Sequence, residues 1–187
     1  MAWSNIFLQI ITPAGPIIGE GLLEGWQTSI ELTSFKWGVK FAPDAKGDGG
    51  GLGGAAKALG SIVGVGRQRK MEMEPLTLEK RFDISSAMIH TCLDNHIPII
   101  SASITVLNIK HGGRVMHEPG FTLVAADGFI TECDLSMSPI GNGVEVKETI
   151  KFKFKSIMIT YLKTYGKDSI PTIPFGYVSA EKSALGF

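Results

Sequence analysis

Three glycines spaced as Gly49-x-Gly51-x-x-Gly54, with Glu74 downstream, have the form of a dinucleotide-binding turn. That chemistry needs a strand running straight into the turn and a helix opening from the last glycine, so that backbone N–H groups meet a pyrophosphate. Here Pro43-Asp44-Ala45-Lys46 precedes the turn, and Gly60, Gly64 and Gly66 weaken any helix after it. Lys57 stands between Ala56 and Ala58 and completes no Walker pattern. His90 and His96 flank a helix end, His111 and His117 flank a hairpin, and no His-Glu-x-x-His occurs. The histidines therefore read as surface or hydrogen-bonded side chains. Glu132 and Asp134 lie on one strand, and Glu145 and Glu148 near the last one. Without a cleft to join them, they read as solvated or ion-paired carboxylates rather than an acid–base couple. No Gly-x-Ser-x-Gly elbow is present, and neither Cys92 nor Cys133 has a histidine partner evident from spacing. The residues point to no catalytic centre, no cofactor and no metal.

Two patterns stand above that background. Lys151, Lys153 and Lys155, with Lys147 nearby, alternate with Ile150, Phe152 and Phe154 on one strand. Strand lysines commonly form a solvated outer face or protect an edge; the sharper reading is the wall of a polar channel or an inter-subunit contact. The second pattern is residues 42–70, where glycine is dense and alternation is lost. A structureless insertion of that length is usually functional or disordered. It contains Leu52, Leu59, Ile62, Val63 and Val65, then Arg67, Arg69 and Lys70. Docking on a partner would bury those aliphatic side chains, with glycine supplying the backbone freedom.

Strands must hold most of these residues. The organising stretch is Pro75 to Asn108, which reads as strand, helix of about 83–94, strand. Leu76 and Leu78 alternate with Thr77 and Glu79, and Asp83 or Ser85 can cap the helix. Ile84, Ala87, Met88 and Cys92 form the stripe expected to cover a sheet. Asn95 suits a left-handed residue after the helix, Pro98 stops it resuming, and Ile100, Ala102, Ile104 and Val106 face the core of the next strand. Upstream, Ile6 to Ile11 is a strand, and Gln27 to Phe41 a long one whose apolar phase changes between Leu32 and Phe35. That change predicts a bulge near Thr33-Ser34, after which Ser34, Lys36 and Gly38 share the face opposite Phe35 and Trp37. Downstream, strands are expected at Phe121 to Ala126, at Phe129 to Met137 with Phe129, Thr131, Cys133, Leu135 and Met137 on one face, and through Ile150 to Tyr161. A phase shift after Ser156 suggests a second bulge. The whole reads as one helix on a largely antiparallel sheet system, with domain 1–162 followed by a tail at 163–187.

Composition narrows the classes. At 187 residues and 44% hydrophobic, the chain can bury a sizeable core in one domain. Eighteen basic and eighteen acidic residues cancel, which argues against a general nucleic-acid binder. Two cysteines without a framework read as core thiols in a reducing cytosol. Pro13, Gly15, Pro16 and Gly19 interrupt the first apolar run, which has no basic n-region; neither a signal peptide nor a membrane span is expected there.

The order of elements resembles the haemolysin-coregulated protein (Hcp) family, tail-tube subunits of the type VI secretion system. The resemblance covers nearly all of residues 5 to 162. It rests on the opening strand Ile6-Phe7-Leu8, on Glu31 to Gly38 with Trp37-Gly38, on Leu76 to Cys92 with its Asp-x-Ser-Ser helix start, and on the last strand from Glu148 to Tyr161. It implies a mainly β fold, a compact barrel of two packed antiparallel-rich sheets with one short helix. It further implies homohexameric rings stacked into a tube inside a contractile sheath. Such a tube meets baseplate and spike proteins, carries small effectors, and is exported from the cytoplasm without a signal peptide. By position Ser34 and Lys36 fall on the lumen-facing stretch, Lys36 replacing a small polar residue common there. The Gly-rich insertion corresponds to the loop that reaches a neighbouring ring. The alternatives are a small-molecule or nucleotide-binding β-domain, a phage-like tail tube protein, or an enzyme fused to a tube domain. The last is disfavoured because the residues after the final strand are too few for a catalytic domain.

Overall fold

The structure is a computed structural model, which describes residues 5–41, 71–110, 116–141, 143–165, 168–171 and 174–178. Alternation of apolar and polar residues places eleven strands and one described helix: β1 (Ile6–Thr12), β2 (Gly15–Ile17), β3 (Ile30–Lys36), β4 (Val39–Phe41), β5 (Met71–Met73), β6 (Leu76–Arg81), α1 (Ile84–Asp94), β7 (Ile99–Lys110), β8 (Met116–Ile140), β9 (Gly143–Tyr165), β10 (Asp168–Pro171) and β11 (Phe175–Val178). The two downstream strands that the sequence separates are one long strand, β8. Conversely, the long strand of 27–41 is broken at Trp37-Gly38 into β3 and β4, and among the described residues β4 pairs only with β5.

Six strands close on themselves in the order β9-β6-β3-β1-β7-β8 and back to β9, every pairing antiparallel. Closure gives both edges of each strand a partner, which removes the exposed N–H and C=O rows that invite stray pairing. Inside, Leu8, Ile10, Leu32, Leu78, Ile104 and Phe152 are fully buried in one core cluster.

Bends let so small a ring fold over. The expected bulge in β3 is present: Leu32 pairs with Lys80 and Ser34 with Glu79, leaving Thr33 as the extra residue. In β8, Thr131 is extra between Ile130 and Glu132. This bulge corrects the single-face reading of Phe129 to Met137. Phe129 points out, while Cys133 is turned inward to pack against the core. The phase shift after Ser156 is real but is no bulge, because register is kept across it. Buried positions switch from Phe154 to Ile157 in β9 and from Ala125 to Gly128 in β8. Both strands therefore turn together, at a corner where Asp127 takes φ 53. Gly128 is required there, since a Cβ would sit 2.3 Å from the Phe154 ring and 2.4 Å from the Lys153 carbonyl.

Helix α1 begins at Asp83, whose side chain accepts from the Ser85 N–H, while the Ser86 hydroxyl accepts from the Asp83 N–H. Its buried face is Ser85, Ser86, Ile89 and Cys92. The predicted stripe is thus displaced by about one position: Ile84 (61% exposed), Ala87 and Met88 (47%) face outward. The sheet beneath the helix supplies polar partners that draw Ser86 inward, while the Ser85 hydroxyl donates to the capping Asp83. Asn95 ends the helix at φ −96, and the left-handed residue is instead His96 at φ 50. In β7, Ala102 and Ile104 point inward as expected, but Ile100 is exposed and Ile99 and Leu107 are buried. Beyond Leu162, in the stretch expected to be a tail rather than another core strand, the chain returns in β10 and β11, both paired with β9. The Tyr177 ring lies 5.4 Å from that of Trp37.

Candidate functional site

Register brings the two sequence-predicted sets of residues onto one outer face. Ser34 pairs with Glu79, Glu79 with Thr149, and Thr149 with Asp134, a row across β3, β6, β9 and β8. The next row is Lys36, Thr77, Lys151 and Glu132. Lys153 follows, opposite Phe129, and Lys155 lies at the corner where the face ends. Neighbouring residues in such rows stand within side-chain reach. The Ser34 hydroxyl donates to Glu79 Oε2 at 2.9 Å and Thr33 Oγ1 to the Glu79 carbonyl at 3.0 Å. Lys151 Nζ donates to Glu132 Oε1 at 2.6 Å. That hydrogen bond, helped by one from Asp134, holds the Glu132 carboxyl below its usual range, and the same bond raises Lys151. Among the described residues, Lys36, Lys153 and Lys155 form no ion pair and stand exposed. The result is a four-strand polar wall of mixed charge with its excess lysines free. Leu52, Leu59, Ile62, Val63, Val65, Arg67, Arg69 and Lys70 lie outside the described residues.

A second constellation is buried. Lys80 and Glu148 are each 0% exposed, with Lys80 Nζ 3.0 Å from Glu148 Oε2. Lys80 Nζ also donates to Asp83 Oδ1 at 2.7 Å, to Ser86 Oγ at 2.8 Å and to the Arg81 carbonyl at 2.8 Å. Ser86 in turn donates to Glu148 Oε2 at 2.9 Å. This network joins β6, the start of α1 and β9, and explains the inward serines. Glu148 is ion-paired, as the sequence reading allows, but has no contact with solvent. The missed signal was parity: Lys80 is in phase with Leu76 and Leu78, and Glu148 with Ile150 and Phe152. A lone charge on each of two apolar faces marks a buried pair. The other Glu148 oxygen, Oε1, lies at ion-pair distance from His90 Nε2, 2.7 Å, and both atoms are buried without a hydrogen-bond partner. His90, Cys133 and Glu148 bring ligand-type atoms within 4.8 Å of one another. Burial first, then the nearby Glu148 and Asp134 charges, push the Cys133 thiol up to about 12. Burial raises Cys92 as well.

A third region is apolar. Phe82 (51% exposed), Ile84 and Met88 follow one another along the start of α1, and Leu22 (65%) lies across an open cleft that Phe82 and Arg81 line with Glu20 and Glu31. No described helix is long and apolar enough to cross a membrane.

A family model described as the type VI secretion system effector Hcp matches residues 7–161. Among solved structures, a mutant of Hcp1 from E. coli EAEC 042 is 14% identical with a TM-score of 0.67, the match covering 94% of this chain and 98% of that one. The secreted protein Hcp3 from Pseudomonas aeruginosa is 15% identical at TM-score 0.63, over 93% and 97% of the two chains. Hcp1 from Salmonella typhimurium is 16% identical at 0.61, over 93% and 95%. At such identities these likenesses show the fold. No curated protein sequence matches the chain.

Proposed function

The chain belongs to the Hcp family of type VI secretion effectors, and from that premise we propose that it is a structural subunit of the secretion tube. Six copies form a ring, rings stack into a tube, and the wall built on β3, β6, β9 and β8 faces the lumen. One observation supports this most: away from the polar wall, the start of α1 and the loop before β3 leave a group of large apolar side chains exposed. Phe82, Ile84, Met88 and Leu22 are the kind of patch that a lone soluble chain rarely leaves open. A neighbouring copy covers it through a head-to-tail contact that closes by rotation. Ser34, Lys36, Lys151 and Lys153 then meet cargo, and mixed charge suits small folded effectors better than one polyanion. Lys155 sits at the rim of that wall. The aliphatic stretch with Leu52, Leu59, Ile62, Val63 and Val65 docks on the next ring, and Arg67, Arg69 and Lys70 meet an acidic rim. Sheath, baseplate and spike proteins are the remaining partners, and export proceeds from the cytoplasm without a signal peptide.

Light scattering coupled to gel filtration, with negative-stain imaging, tests the ring. A six-chain particle with an open centre is expected, and Met88→Lys should convert it to a folded monomer. A wild-type protein that stays monomeric at every concentration and never polymerises refutes the reading. Deleting Gly47 to Gly64 should leave rings and abolish tubes; tubes retained in that variant would remove the loop from stacking.

A further inference from the structure

The buried network leaves one carboxylate oxygen and one imidazole nitrogen facing each other beside a thiol, and neither of those two atoms has a hydrogen-bond partner. We infer that His90 Nε2, Cys133 Sγ and Glu148 Oε1 form a binding site for a divalent transition-metal ion of the zinc class. The donors come from three elements, α1, β8 and β9, far apart in sequence, so no ligand spacing could announce them. The bulge at Thr131 is what turns Cys133 to the inner face, beside Glu148 on the adjacent strand.

Charge and chemistry agree. Lys80 is the cation shared by Asp83 and Glu148, at 2.7 Å and 3.0 Å. One cation against two carboxylates leaves the cluster one negative charge in excess, at a point where water is excluded. Glu148 Oε2 is held by Lys80 and Ser86, which orients Oε1 toward His90 as an outer shell orients a metal ligand. A set of one imidazole, one thiolate and one carboxylate suits Zn²⁺ better than the hard ions Mg²⁺ or Ca²⁺, which take oxygen donors. Around a tetrahedral Zn²⁺, donors at about 2.0–2.3 Å from the ion stand about 3.3–3.6 Å from one another. The His90–Glu148 pair at 2.7 Å must therefore open by about 0.6–0.9 Å, which His90 can do because its side chain is 37% exposed. The sulfur closes in from the other side. On binding, the Cys133 proton leaves to bulk water and the S–Zn bond forms, with no change of oxidation state. Once His90 has moved outward to open the site, one water enters and fills the fourth position, and the ion ties the helix to the β8–β9 pair.

The test uses the full chain, stripped with chelator, and Zn²⁺ or Co²⁺ alone as probe. Wild type should keep one Zn²⁺ per chain through gel filtration, and Co²⁺ should give a sulfur-to-metal charge-transfer band. Cys133→Ser should lose that band, and His90→Gln should weaken Zn²⁺ binding at least tenfold, with circular dichroism unchanged. The melting midpoint should rise with Zn²⁺ in wild type alone. Should Cys133→Ser fail to fold, the wild-type Co²⁺ spectrum and the partly exposed His90→Gln variant still decide. Wild type without retained Zn²⁺, a Co²⁺ spectrum without sulfur character, or equal retention in the variants would overturn the site. None of these readouts depends on ring assembly, so the inference stands or falls apart from the tube reading.

Discussion

Lys80→Met keeps the length and most of the volume of a side chain that is 0% exposed but removes its charge. It leaves Glu148, also 0% exposed, and Asp83 as carboxylates without their common cation. Removing one partner of a buried pair typically costs about 3–5 kcal/mol, far more than the pair adds over an apolar substitute. With an unfolding entropy of about 2.1 cal/mol/K per residue, a 187-residue chain loses about 0.4 kcal/mol per degree near its midpoint. The expected fall is therefore about 8–13 °C. Glu148→Gln removes the stranded charge while retaining an acceptor for the Ser86 hydroxyl, which donates to Glu148 at 2.9 Å. The double variant should thus recover part of the loss, with a coupling of roughly 1–3 kcal/mol. Urea unfolding followed by circular dichroism, at one protein concentration and with unchanged m-values, gives all four corners of the cycle. A Lys80→Met cost below about 1 kcal/mol, the range of exposed pairs, or strict additivity would refute the claim that this network anchors the helix.

Two further outcomes follow from single contacts. Gly128→Ala places a methyl 2.4 Å from a backbone carbonyl and 2.3 Å from the Phe154 ring, so one strand of the corner must shift. The expected cost is about 1–3 kcal/mol in urea unfolding, and a neutral result would mean that the corner is soft. Glu132 has its carboxyl held below the ordinary range by Lys151 and then Asp134. Its ion pair is therefore intact above the ordinary carboxylate range and is lost only as pH falls through the lowered folded value. An NMR titration should show the Glu132 midpoint rising in Lys151→Met; an unmoved midpoint would remove Lys151 as the cause.

Period-2 alternation made most of the barrel legible. Leu76-Leu78, Ala102-Ile104 and Phe152-Phe154 all face the core, and the apolar phase change between Leu32 and Phe35 located a bulge to within the Thr33-Ser34 pair. Alternation reports a face only while register is continuous, and that is where the reading strayed. It could not distinguish a bulge from a two-strand corner, because both change the phase of one strand; only the partner strand, switching at Ala125 to Gly128, tells them apart. It placed Cys133 with Phe129 because Thr131 looks like any other strand residue. Ser34 and Lys36 could be matched to Lys151 and Lys153 only through the intervening strand β6, a neighbour that sequence order does not reveal.

The helix error has a physical cause of its own. Apolar periodicity assigns the inward face of a helix on the premise that the surface below is apolar. Beneath the start of α1 the sheet presents Lys80 and Glu148, and a hydroxyl satisfies them where a methyl would leave them unpaired. Ser86 therefore turns in, with Ser85 beside it bonded to the capping Asp83, and Ile84 and Met88, displaced from the core, turn out. A buried ion pair thus decides which helix face is left apolar and open. On the tube reading, that is the face a neighbouring subunit covers, so folding of one copy and recognition of the next rest on the same two charges. Variants at Lys80 that still fold should for this reason weaken assembly before they weaken the barrel.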